Sequence, residues 1–351
     1  MPTESTTITA LSTLLEELVE RSGLSWRQAA VVVGLALTLL AVGAAYLGGL
    51  LSGPFNGELW RHGLTVLALI AYILLVQPLL RRLRDGAIEA FRPLVLLDDD
   101  DFCRSLAKAP LFSRRREWLA MGIGVAGGLL LSQPWDYSGP FWAWGSVWLA
   151  LYGLLSGVLL YGLLGWFIYH ALSSTRLFSE LRRHTVEINV FDLGFLEPIG
   201  RWSLGIALAF IGGDTLSLLF LSWPTIDIET MVIYIPLILA PVLVFFLNMR
   251  STHDIIVEAK GRDLRMVRER LAAGSQMLRN RAEKGQVEEM EALLDSFTAW
   301  VTYENRVEEV PEWPYTESIM RRLVVSMLLP LGVIVVQALV FELALRLLPL
   351  P

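Results

Sequence analysis

The chain has 351 residues, of which 54% are hydrophobic and only 18% charged, with a net charge of -6 and a mean hydropathy of +0.53. Soluble domains carry nearer a quarter charged residues, so the composition argues against a soluble protein. No basic block points to nucleic acid, and the lone Cys103 excludes an intrachain disulfide or a cysteine metal cluster.

Residues 1–27 come first. Ile8, Leu11, Leu14, Leu15, Leu18 and Val19 recur at helical spacing opposite Glu16, Glu17, Glu20 and Arg21. The pattern predicts an amphipathic helix, lying on the membrane surface or packed on a neighbouring subunit. Ser22-Gly23 ends it, and Ser25 with Gln28 forms a capping box that opens the next helix. A signal peptide is not expected, because no basic region precedes the first apolar run.

Apolar runs then follow at about 28–51, 63–80, 118–134, 142–171, 203–222, 230–249 and 323–346. Such runs match a hydrocarbon core of about 30 Å crossed at about 1.5 Å per residue. The expected fold is an all-α polytopic membrane protein of about seven spans. Spans one to six occupy 28–249, a cytoplasmic helical hairpin 250–317, and the seventh span with the C-terminus 318–351. The 118–134 run is short and rich in glycine (Gly122, Gly124, Gly127, Gly128), so a re-entrant hairpin there is the alternative.

All but two of the 29 Lys and Arg, Arg61 and Arg346, fall on one side of this arrangement. The positive-inside rule makes that side cytoplasmic. The expectation is a prokaryotic plasma (inner) membrane, with the N-terminus inside and the C-terminus outside. The outer loops are short and carry Trp60, Trp135, Tyr137, Phe141, Trp142 and Trp223, aromatic rings that favour the headgroup layer. They leave no room for an extracytoplasmic ligand-binding domain.

Gly124-x-x-x-Gly128 and Gly153-x-x-x-Gly157 are candidate helix contacts, within the chain or between subunits, since small residues let backbones approach. On the cytoplasmic side, Asp98 to Asp101 before Phe102 reads as an N-cap and first turn; a divalent-cation site is the sharper alternative. Arg114, Arg115 and Arg116 are expected to face lipid phosphates. Glu197 and Arg201 are spaced to pair on one helix face.

In the hairpin, Ala272-Ala273-Gly274-Ser275 is a possible interruption after the first arm. Val287, Met290, Leu294, Phe297 and Val301 follow coiled-coil spacing over about two heptads. The 260–284 arm is basic and the 286–317 arm acidic, so the arms are expected to pair side by side. The chain returns to the membrane through an interfacial turn at Trp313-Pro314. His253-x-x-Ile256-x-Glu258-x-Lys260, the hairpin, Trp313-Pro314 and Leu329-Pro330-Leu331 together resemble a broad set of uncharacterised prokaryotic multi-pass membrane proteins. The resemblance implies a shared architecture over roughly 250–346 and carries no activity.

Polar residues inside spans are functional candidates because burying them in lipid is costly. Asp214 and Thr215, about halfway along the fifth span, with Gln337 and Glu342 in the outer half of the seventh, form the candidate intramembrane polar pathway. His170 is read as structural. Glu342 with Arg346 is read as a pair, and Pro236, Pro241 and Pro330 as sites of span kinks. There is no P-loop, nucleophile elbow or paired histidine motif, so neither an enzyme nor a cofactor or metal is expected. The leading reading is a homo-oligomeric channel-like or transport protein for ions or small solutes. The alternative is a membrane-anchored scaffold or signalling adaptor that binds a cytosolic partner through 253–310.

Overall fold

The computed structural model describes residues 12–49, 57–94, 98, 100–102, 113–132, 146–181, 190–191, 194, 197–220, 228–284, 287–313 and 315–347. Among these the chain is helical, with no strand. In order the helices are α1 (Leu14–Arg21), α2 (Trp26–Leu47), α3 (Gly57–Phe91), α4 (Arg114–Ser132), α5 (Val147–Leu181), α6 (Glu197–Leu219), α7 (Ile228–Lys284), α8 (Val287–Glu309) and α9 (Glu317–Leu347).

Local chemistry sets the first two helices. Thr13 and Glu16 form a reciprocal capping box at the start of α1, and Ser25 and Gln28 do the same for α2. Between them Gly23 takes φ +69°, a left-handed conformation that glycine adopts without strain and that turns the chain from one helix into the next.

Five of the described helices contain segments long and apolar enough to cross a membrane: Trp26–Leu47, Gly63–Ala90, Val147–Ser173, Glu197–Leu219 and Glu317–Val340. The chain is thus an integral membrane protein in its architecture. Helix α4 begins with Arg114, Arg115, Arg116 and Glu117, which lowers its apolar length; it is nonetheless a single 19-residue helix.

The sequence boundaries marked the ends of apolar runs, and the helices pass beyond them. Helix α3 continues to Phe91, α5 to Leu181, and α7 is unbroken for 57 residues, about 85 Å at about 1.5 Å per residue. Ala272-Ala273-Gly274-Ser275 therefore does not interrupt the first arm of the hairpin. One glycine lowers helix propensity by only about 1 kcal/mol, and Gly274 packs on the Phe297 ring. Hydropathy records where lipid ends, and nothing in these sequences stops the helix there.

Helix α6 is the centre of the bundle: it packs against α3, α7 and α9, and half of its span is buried within the protein. Helix α9 lies at the edge, with only 11% of its span buried. Its outward Val324, Val325, Leu328, Val335, Val336 and Leu339 suit hydrocarbon. The core joins Ile70, Ile73 and Leu74 of α3, Trp166 and Phe167 of α5, Ile199 to Ile211 of α6, and Phe245 of α7.

The expected aromatic anchors Trp135, Tyr137, Phe141, Trp142 and Trp223, together with Pro314, lie outside the described residues; so do the side chains of Trp60, Pro236 and Arg346. Of the acidic run, the backbone carbonyl of Asp98 accepts the Phe102 amide at 2.9 Å, while Asp100 and Asp101 are exposed.

Candidate functional site

Asp214 lies on α6, five residues before its end at Leu219. The side chain is half-buried, and Oδ2 is buried without a hydrogen-bond partner. Opposite, Tyr72 of α3 donates its hydroxyl to the Ala209 carbonyl at 2.9 Å. A Cβ at Gly212 would collide with that hydroxyl, so glycine is what lets the tyrosine reach across.

Two other pathway candidates bond to helix backbone. Thr215 donates to Ile211 O at 2.6 Å, back onto its own helix. Gln337 of α9 donates through Nε2 to Leu218 O at 2.8 Å. It therefore occupies one of the carbonyls that a helix end leaves without a partner, while its Oε1 is buried and unpartnered. Glu342 is exposed.

The glycine motifs divide. A Cβ at Gly124 would lie 2.8 Å from Gly165 Cα, and one at Gly128 would fall inside the Tyr161 ring, so both bring α4 against α5 within the chain. Gly157 meets only Tyr161 of its own helix, at 3.8 Å, and Gly153 is half-buried on α5.

A second polar cluster, unsuspected from sequence, sits at the arginine-rich end of the bundle beneath α1. The helix was expected on the membrane surface or on another subunit; it docks instead on its own bundle. Its orientation also differs: Glu16 is buried and Leu18 exposed, with Leu14, Leu15 and Val19 inside. The cause is Arg84 of α3, whose guanidinium grips Glu16 through Nη1–Oε1 at 3.1 Å and Nη2–Oε2 at 3.4 Å. The same carboxylate accepts the Thr13 amide at 3.0 Å. A forked pair of this kind offsets part of what burial of the two charges costs. Arg114 pairs with Glu17 of α1, while Arg115 and Arg116 are exposed.

Glu117 of α4 is fully buried beside this pair. Its Oε2 accepts the Leu14 amide at 2.6 Å and the Trp166 indole N–H at 3.1 Å. An anion against the first amide of a helix is favoured by the exposed N–H groups and the helix dipole. His170 places Nε2 3.8 Å from Glu117 Oε2, beyond hydrogen-bond reach, and its ring lies 4.2 Å from that of Trp166. Glu117 Oε1 and His170 Nε2 are buried without hydrogen bonds. A cavity of about 40 Å³ adjoins His170, lined also by Thr13, Glu16, Gln77, Arg84 and Trp202 among others.

The hairpin return is a third node. The His253 ring stacks on Trp313 at 4.1 Å and 12°, and its Nδ1 meets Glu312 O at 2.9 Å. Lys260 Nζ donates to Glu308 O at 2.8 Å and Val310 O at 3.0 Å, neutralising the carbonyl end of α8. Val267 and Val307 are fully buried between the arms, and Arg268 bonds Glu304 and Glu308, each at 2.8 Å. Leu294, however, is 47% exposed, so the expected apolar seam is not continuous. Burial and the neighbouring Asp263 push the Tyr303 hydroxyl above its usual range.

Among the described residues no group of three or more His, Cys, Asp or Glu side chains is placed to hold a metal ion. No protein-family model, curated protein or solved structure matches the chain. The class defined by the fold is an α-helical integral membrane protein, and its activity rests on the site alone.

Proposed function

We propose that the chain is a channel-like or transport protein for ions or small solutes. It would act as a homo-oligomer of seven-span subunits in a prokaryotic plasma membrane, with the hairpin inside the cell and the C-terminus outside. The observation that carries this reading is Asp214, an acid within a span whose Oδ2 is buried and unpartnered. A purely structural acid in hydrocarbon would be expected to use both oxygens, because each unsatisfied polar group there is costly. The seam between α3 and α6 supports it further. Gln77 and Trp202 mark one end, and Tyr72 and Asp214 stand nearer the other, with the apolar Ile73 and Ile206 between them. That arrangement is what a closed polar path would present.

Flux through vesicles reconstituted with the purified chain tests the proposal. Asp214→Asn should reduce flux at least about tenfold, equivalent to about 1.4 kcal/mol in the barrier. Absence of flux, or flux unchanged by the substitution, would defeat it.

The second reading is a membrane-anchored scaffold, favoured by the 57-residue α7, which extends a stiff hairpin beyond the bundle. Deleting 253–310 separates the two. A scaffold would lose a cytosolic partner in a pull-down and keep its assembly state.

A further inference from the structure

We propose that the cavity beneath α1 is a hydrated proton-binding site in which water brings protons to His170, and the protonated imidazole pairs with Glu117. The site is separate from Asp214 and stands whether or not Asp214 lines a pathway.

Size and lining identify water as the occupant. About 40 Å³ exceeds the roughly 10–15 Å³ that one water requires, giving room for about three. Purely apolar cavities stay dry, but this one sets Thr13, Glu16, Gln77, Arg84 and His170 among apolar residues such as Leu80 and Phe167, and those polar groups can supply the two to four partners that a buried water needs. The charges argue against a metal cation. Glu16 is already neutralised by Arg84, and no three described carboxylates or histidines are placed to hold a metal ion.

The geometry then identifies the group that takes the proton. His170 lies on the cavity wall and also 3.8 Å from Glu117 Oε2. At that distance no hydrogen bond forms, and Nε2 is unpartnered. Two acceptors facing one another repel, so the spacing fits a neutral ring whose Nε2 carries a lone pair. Proton uptake converts Nε2 to a donor aimed at a carboxylate, and a shift of under 1 Å closes a charge-assisted bond. The charge balance is simple: hydrated proton plus neutral imidazole gives imidazolium, held by Glu117, and water remains.

Other titratable groups around the cavity are Glu16 from α1 and Arg81 and Arg84 from α3; α6 contributes only the neutral Trp202 and Ile206. Glu117 also holds the Leu14 amide, so the proton site shares an anion with the seat of α1. Helix α1 therefore forms one wall of the cavity, through Thr13 and Glu16.

The test uses the full chain in lipid nanodiscs with nitrogen-labelled histidine. There are four histidines, so replacing His62, His184 and His253 by Asn leaves His170 as the only imidazole signal. The expected result has three parts. The ring passes from neutral to imidazolium between about pH 8 and pH 4, and it receives magnetisation from water. Glu117→Gln also weakens its proton affinity about tenfold, one pH unit. A ring that stays neutral throughout, that exchanges no magnetisation with water, or whose titration ignores Glu117→Gln would overturn the proposal. Glu117→Asp, which keeps the charge, should retain the titration and shows that any loss in Glu117→Gln is not misfolding.

Discussion

Gly124 and Gly127 lie three residues apart on α4 and respond oppositely to the same added methyl. Nothing lies within 4 Å of a Cβ built at Gly127. Alanine there should stabilise the helix by about 0.5–1 kcal/mol through the backbone freedom that glycine loses on ordering. At Gly124 the methyl would fall on the Tyr161 carbonyl oxygen and lie 2.8 Å from Gly165 Cα. Both obstacles are backbone, so no side-chain rotation relieves them and α4 must move off α5. Overpacking costs about 1–3 kcal/mol, and a rigid neighbour places it in the upper part of that range. After the propensity gain, Gly124→Ala should be destabilised by about 1–2 kcal/mol, and the two variants should differ by about 2–3 kcal/mol. Unfolding from mixed micelles by increasing dodecyl sulfate, followed by circular dichroism, measures the difference. Equal midpoints, or a Gly124→Ala protein more stable than the parent, would refute the close helix approach.

Three further outcomes follow from the other nodes. Arg84→Met leaves the Glu16 carboxylate buried without its partner and should cost about 3–5 kcal/mol, seen as faster amide exchange in α1 and proteolysis near Gly23; adding Glu16→Gln should restore most of the loss. Lys260→Met removes the charge from the α8 carbonyl end, and exchange over 300–312 should quicken by a factor consistent with about 1–2 kcal/mol. Gln337→Leu frees the Leu218 carbonyl and should lower stability by about 1 kcal/mol in the same micelle assay, while an unchanged midpoint would show that α9 does not depend on that bond.

What was legible in the sequence was local or periodic. Ser25 and Gln28 cap α2, Gly23 turns the chain, and Glu197 bonds Arg201 at 2.7 Å along one helix face. Gly124 and Gly128 announced a close contact, although their partners Gly165 and Tyr161 could not be inferred from the motif. The helix ends were hidden because apolar composition stops at the lipid boundary while α3, α5 and α7 continue. The polar cluster beneath α1 was hidden for another reason. It unites residues 13, 16, 84, 117, 166, 170 and 202, and no spacing rule links positions so far apart. A signal did exist: Glu117 and His170 are ionisable groups at the same edge of neighbouring apolar runs, which makes them candidates to meet. Glu16 misled because its polarity placed it on the solvent face, and the pull of Arg84 outweighed that preference.

A polar path lined by Asp214 requires that water reach its side chain, and accessibility at that position tests this most directly. In a Cys103→Ser background, Asp214→Cys would carry the only thiol of the chain. A membrane-impermeant, water-soluble thiol reagent added to intact vesicles should modify it, at a rate well above that of a lipid-facing control such as Val336→Cys. A thiol at 214 as inert as that control, from either side of the membrane, would contradict the pathway.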